Sequence, residues 1–219
     1  MKYYPVNLDI RKRACLVVGG GGVGTRKVKT LLGCGAVVTV VSVQVSTQLE
    51  QMAAAGKITL EKRAYRTDDL QEKFLVIGAT DDEALNRRIH AEAEAQNTLC
   101  NIADRPESCN FILPAIVCRG DLVLAISTSG KSPAYAKKLR RELERQFGPE
   151  YEPLLQLMGA IRKRLLAEKH EPEAHKPLFE KLIAGGLLDL IRENRISRID
   201  TLLGDVLGDG YRYQELING

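Results

Sequence analysis

Three glycines suggest the first chemistry. Gly19, Gly21 and Gly24 lie in ACLVVGGGGVGTRKVKT, residues 14–30, at the G-x-G-x-x-G spacing. Each position has its own reason to be glycine. Gly19 permits a tight turn, Gly21 lets backbone approach a pyrophosphate with no Cβ in the way, and Gly24 lets a helix pack close against the preceding strand. Gly22 and Val23 extend the loop into a helix N-terminus, whose unpaired N–H groups and partial positive charge suit phosphates. The chemistry expected is dinucleotide binding, and the alternative is a glycine-rich turn that closes a βα unit. A second group is cationic. Between Lys131 and Phe147 six basic residues face only Glu142 and Glu144, a local excess that equals the net charge of +4 of the whole chain. Such a field suits an acidic ligand. Ser129, Gly130, Lys131 and the helix N-terminus beyond them form a candidate carboxylate or phosphate site, with Lys137 and Arg141 along the basic face. The alternative is a solvated face laced by Lys138 with Glu142 and Arg140 with Glu144.

These residues need elements to position them. The apolar run Ala14–Val18 followed by a helical pattern at Val23, Val28, Leu31 and Leu32 reads as strand, phosphate loop, helix. Ala36–Val41 reads as a second strand, ending in Ser42, Val43 and Gln44. Dinucleotide folds usually place an acid at that end to hold the ribose 2′-OH. None stands here, and no nearby Arg argues for NADP, so Ser42 or Gln44 is left to hydrogen-bond the ribose and the preference for NAD is expected to be modest. Phe74–Ala79 is an apolar strand running into Thr80, which with Glu83 makes a T-x-x-E capping box for a helix to about Ala95. Thr98–Ala103 is the next strand. Ligands bind outside the carboxyl ends of such strands, so Thr80 and the Asn101–Asp104 turn should face the crevice of Gly21. Thr80 serves equally as a helix cap.

From Phe111 the pattern changes to two β-type runs joined by Arg119, Gly120 and Asp121, a hairpin signal. Ser132 is a good N-cap and Pro133 a good first helical residue for a helix with an apolar stripe at Ala136, Leu139, Leu143 and Phe147. After Gly148-Pro149 the chain reads as all-helical, with breaks at Pro172, Pro177, Gly185-Gly186 and Gly204–Gly210. The fold class is thus α/β: a Rossmann-type parallel sheet over 1–110, a hairpin with a basic helix over 111–148, and a C-terminal helical domain over 149–219. No apolar run approaches a membrane span and no leader is evident, so a cytoplasmic protein without membrane or nucleic-acid partners is expected. Five cysteines without a C-x-x-C pair and only three histidines argue against a structural metal site.

In order, PVNLDIRKRACLVVGGGGVGTRK, GATDDEALN and CNIADRPESCNFILPAIVCRGDLVLAISTSGKSP resemble the precorrin-2 dehydrogenase part of siroheme synthase, some members of which are also sirohydrochlorin ferrochelatases. The resemblance is continuous from Tyr4 to about Leu143 and looser beyond. It implies a homodimer assembled through the hairpin region, NAD⁺ in the Rossmann cleft, and a tetrapyrrole rich in carboxylates, for which the basic segment makes a fitting rim. It implies Asp104 as the catalytic base, with Fe²⁺ a further substrate where chelation occurs. It also places Asn101 and Thr128, where the family often has Ser, beside the substrate. Two rival readings are a dehydrogenase without chelatase activity and a non-catalytic NAD-sensing module.

Overall fold

The computed structural model describes residues 2–103, 105, 109–168 and 172–218, excepting the side chains of 172–174. The chain divides into two compact units, Met1–Leu113 and Pro114–Gly219, so the hairpin and basic helix group with the C-terminal helices.

In the first unit, β1 (Ala14–Gly20), β2 (Val37–Val45), β3 (Thr59–Glu61), β4 (Leu75–Gly78) and β5 (Leu99–Ile102) form a parallel sheet in the order β3-β2-β1-β4-β5. The run of Cys15, Leu16, Val17 and Val18 is buried throughout, as befits a central strand covered on both faces. One face packs Val17, Val38, Val40 and Ile77 against α1 (Gly22–Gly33), through Val28 and Leu31, and against α2 (Thr47–Ala54), through Leu49. The other packs Leu16, Val18, Val76 and Ile102 against Ile89 and Ala93 of α3 (Glu83–Ala95). The order reverses between β1 and β4, and a ligand crevice is expected at the carboxyl ends of those strands.

Two local expectations are corrected. Strand β2 does not end before Ser42 but runs on to Val45, because β1 and β2 resume pairing at Gly20 with Val45 after a bulge that accommodates residues 42–44. The Ser42 hydroxyl pins this bulge, accepting from Gly20 N (2.9 Å) and donating to Gln44 O (2.6 Å). The N-cap of α3 is Asp82, not Thr80: its carboxylate accepts from both Ala84 N (2.9 Å) and Leu85 N (3.0 Å), leaving Glu83 no part in a capping box.

In the second unit, β6 (Ala115–Arg119) and β7 (Leu122–Ile126) form the expected antiparallel hairpin around Gly120 (φ +56°). Arg119 ties it to the C-terminal end of α4 (Pro133–Gln146), donating to Phe147 O (2.9 Å) and Glu144 O (3.0 Å). Beyond lie α5 (Tyr151–Ala167), α6 (Pro172–Ala184), α7 (Leu187–Arg192), α8 (Ile196–Leu207) and α9 (Tyr213–Asn218). Their core is Leu157, Ile161, Leu165, Leu182, Leu187, Ile199 and Leu203. Pro177 does not break its helix. It forfeits one amide bond in the second turn of α6, while the packing of Leu178, Phe179 and Leu182 carries the helix on. Gly204 likewise lies within α8, and the break falls at Gly208 and Gly210, both at positive φ.

Candidate active site

The loop from β1 into α1 is built as the glycine spacing requires. Gly19 has φ +117°, and a Cβ there would lie 2.2 Å from Ala79 O, so the ends of β1 and β4 touch. A Cβ at Gly24 would lie 2.1 Å from Gly19 O, which fixes how closely α1 approaches its strand. Gly20 is equally enclosed, since a Cβ there would lie 2.3 Å from Gln44 O. Gly21 and Gly22 differ in kind, since a Cβ on either would meet nothing within 4 Å. Gly21 is the N-cap of α1 and has no side chain to close the helix, and the first turn contains no acidic residue. The first turn of α1 is therefore left without a side-chain cap, with Gly21 and Gly22 exposed to open space at the crossover of the sheet. A pyrophosphate fits this cradle by charge and by room.

The neighbouring residues hold this end in place. Thr25 is buried and its hydroxyl bonds Gly21 O (2.9 Å) and Ser46 Oγ (2.8 Å), joining α1 to the cap of α2. Across the crevice, the Thr80 hydroxyl lies 3.1 Å from Asn86 Oδ1 and accepts from Asp82 N (3.2 Å), while Asn86 Nδ2 donates to Thr80 O (2.9 Å). Asn86 is a buried positioning residue that sequence reasoning missed; its sole signal is a polar residue on the inner face of α3. Ser42 keeps one acceptor position after its two bonds, whereas Val43 and Gln44 are exposed on the bulge.

An open pocket of about 560 Å³ lies beside the glycine loop, lined by Gly22, Thr25, Arg26 and Lys29 from α1 and by Ser46, Thr47 and Gln48. The sequence hid Arg26 and Lys29 because their distance along the chain from the end of β2 says nothing of their distance in space.

Strand β5 is an edge, and side chains that follow it serve in place of a further strand. Asn110 Oδ1 accepts from Cys100 N (2.8 Å) and its amide donates to Thr98 O (3.1 Å). Asn101, expected beside the substrate, is buried and donates instead to Phe111 O (3.1 Å). Cys109 Sγ accepts from Ile102 N (3.2 Å). Asp104, which follows β5 in the sequence, lies outside the described residues.

In the second unit, Ser129 (φ +53°) and Gly130 (φ +80°) form the turn before α4. The Thr128 hydroxyl accepts from Ser132 N (3.2 Å), and Ser132 Oγ caps Tyr135 N (3.2 Å). Lys138 pairs with Glu142 (3.7 Å) and Arg140 with Glu144, so that part of the helix is the laced face. Lys131, Lys137 and Arg141 are exposed and enter no ion pair among the described residues.

An uncapped, glycine-lined helix end at the crossover of a parallel sheet defines a Rossmann-type NAD(P)-binding protein. The chain belongs to the putative NAD(P)-binding family, whose model matches residues 6–115, and residues 119–146 match the model of the sirohaem biosynthesis protein central region. The siroheme synthase of Nitrosococcus oceani is 36% identical over 211 residues, covering 96% of this chain and 45% of that protein. That of Pseudoalteromonas atlantica is 34% identical over 207 residues, covering 94% and 45%. The chain thus spans about half the length of the curated relatives it matches. The solved structure of SirC, precorrin-2 dehydrogenase, is 29% identical with a TM-score of 0.77, covering 93% of this chain and 98% of that one. Among the described residues no helix is long and apolar enough to cross a membrane.

Proposed function

We propose that this chain is an NAD⁺-dependent dehydrogenase that converts precorrin-2 to sirohydrochlorin in siroheme biosynthesis. The observation that carries the reading is the open N-terminus of α1, uncapped and lined by Gly21 and Gly22 at the sheet crossover. The likeness to SirC, precorrin-2 dehydrogenase, over almost the whole of both chains supports the substrate assignment.

When bound, NAD⁺ supplies the hydride acceptor. The chain's own part begins with binding: the N–H groups of Gly22 and Val23 hold the pyrophosphate, and Gln44 with Val43 and the remaining acceptor of Ser42 meets the ribose. Thr80, fixed by Asn86, stands at the opposite wall. Asp104 accepts the proton released from the substrate carbon, as a carboxylate positioned after β5. The turn Thr128–Lys131, with Lys137 and Arg141, holds substrate carboxylates. Because Pro133 lacks an N–H and Ser132 caps Tyr135, the side-chain cations rather than the helix end supply most of that attraction. Replacing Lys137 and Arg141 by Glu should raise KM for precorrin-2 and reduce its dependence on ionic strength; an unchanged KM would return this face to a solvating role.

A homodimer in the cytoplasm completes the reading. Ile116 opposes Ala125 and Cys118 opposes Val123, so these four exposed side chains share one face of the hairpin, a surface suited to a second copy. The function is tested by mixing the protein anaerobically with precorrin-2 and NAD⁺. NADH and sirohydrochlorin should appear in equal amounts; binding of NAD⁺ with no turnover would favour a sensing module instead.

A further inference from the structure

A dinucleotide seated on the open end of α1 runs its adenosine half toward the carboxyl end of β2. Strict NAD proteins place a carboxylate there, which bonds the ribose 2′-OH and repels a 2′-phosphate. Here residues 42–45 are Ser, Val, Gln and Val, and the Ser42 hydroxyl is already bonded to Gly20 and Gln44. Nothing in that strand end rejects an anion. Beside it, the pocket next to the glycine loop carries the exposed cations Arg26 and Lys29, with the Thr47 hydroxyl and the Gln48 amide on the opposite wall. Neither cation enters an ion pair among the described residues, and Glu50, the acidic residue in the first turn of α2, is paired with Lys62. The pocket lining contains no carboxylate.

We propose that this pocket takes the adenosine 2′-phosphate, so that the chain binds NADP⁺ on a par with NAD⁺ and Arg26 and Lys29 set that tolerance. The proposal rests on the reading of α1 as the dinucleotide site. A guanidinium fork and an ammonium match a phosphate dianion in geometry and charge, and charge-assisted bonds of this kind are about twice as strong as neutral ones.

Calorimetric titration of the full chain with NAD⁺ and with NADP⁺ tests it, for the parent and for the double variant Arg26→Gln, Lys29→Gln. The parent should bind NADP⁺ no more than about threefold more weakly than NAD⁺, and the double variant should lower the NADP⁺-to-NAD⁺ affinity ratio by about tenfold, the loss expected from one charge-assisted hydrogen bond. Raising the salt should lower the parent's affinity for NADP⁺ more than for NAD⁺. Lys29→Gln alone should shift the ratio in the same direction and serves if the double variant melts early. NAD⁺ binding with NADP⁺ weaker than that threshold, or a ratio unmoved by the variants, overturns the proposal while leaving the α1 site standing. Failure of either dinucleotide to bind overturns both.

Discussion

The N-termini of α1 and α4 both follow glycine-containing loops, yet they are finished in opposite ways. At α4, Ser132 caps Tyr135 N and Pro133 removes an amide, so the first turn has largely satisfied itself. At α1 the N-cap is Gly21, with no side chain, no acid in the first turn and open space over Gly21 and Gly22. Helices α2 and α3 are closed in the manner of α4, by Ser46 and Asp82. An end left open at a sheet crossover, while α2 and α3 of the same unit are capped, is suited to an anionic ligand. At α4 any anion must be met by Lys131, Lys137 and Arg141.

The comparison separates binding from chemistry, and the largest effect belongs to the chemistry. Asp104→Asn should leave folding and NAD⁺ binding near normal while lowering single-turnover NADH formation by roughly 10²–10⁴, the usual contribution of a positioned base. A variant that melts normally and turns over at the parent rate would remove Asp104 from the mechanism.

At the open end itself, Gly21→Asp meets no steric obstacle and supplies a good N-cap. Stability should hold or rise slightly, whereas NAD⁺ affinity should fall by about 2 kcal/mol or more, because a carboxylate now occupies the phosphate position. Gly24→Ala should do the reverse damage: its Cβ meets Gly19 O at 2.1 Å, and overpacking against backbone costs about 1–3 kcal/mol of stability. Thermal melts beside calorimetry distinguish the two. Equal NAD⁺ affinity for Gly21→Asp and the parent would move the cofactor elsewhere.

The glycine spacing made the α1 loop legible in the sequence because each glycine answers a local backbone demand. Strands β1, β2, β4 and β5, the hairpin, and the Ser132-Pro133 start of α4 were legible for the same reason: burial pattern and caps are short-range. The bulge at 42–44 was not, since it depends on Ser42 meeting Gly20 across two strands. Thr80 read as a cap because T-x-x-E fits that role, but Asp82 is nearer the helix and its carboxylate is the stronger acceptor. Asn101 read as a crevice residue because it ends a strand, yet the carbonyl of Phe111 claims its amide. Arg26 and Lys29 became visible only when α1 and the start of α2 were placed side by side.

The closed end gives a smaller effect. Ser132→Ala should cost about 1 kcal/mol of stability through loss of the cap, measured by denaturant unfolding, with NAD⁺ affinity unmoved. A loss of NAD⁺ affinity would blur the distinction between the two helix ends.

The smallest effect is a matter of thiol accessibility. Burial pushes the Cys15 thiol up to about 11 and the Cys100 thiol up to about 12, whereas Cys34 is exposed. Since only the thiolate reacts, Cys34 should label quickly at neutral pH while Cys15 and Cys100 wait for the sheet to open. Saturating NAD⁺ should slow those two further by stabilising the folded unit and leave Cys34 fast. Labelling of Cys15 or Cys100 at the rate of Cys34 would contradict the burial on which this rests.

The central claim, that the open end of α1 receives the dinucleotide, is tested most directly by its own amides. In a nitrogen-15 correlation spectrum titrated with NAD⁺, the backbone resonances of Gly22 and Val23 should move strongly as their N–H groups acquire phosphate acceptors, saturating at the calorimetric affinity. Resonances of Gly22 and Val23 that stay in place while NAD⁺ binds would contradict the account.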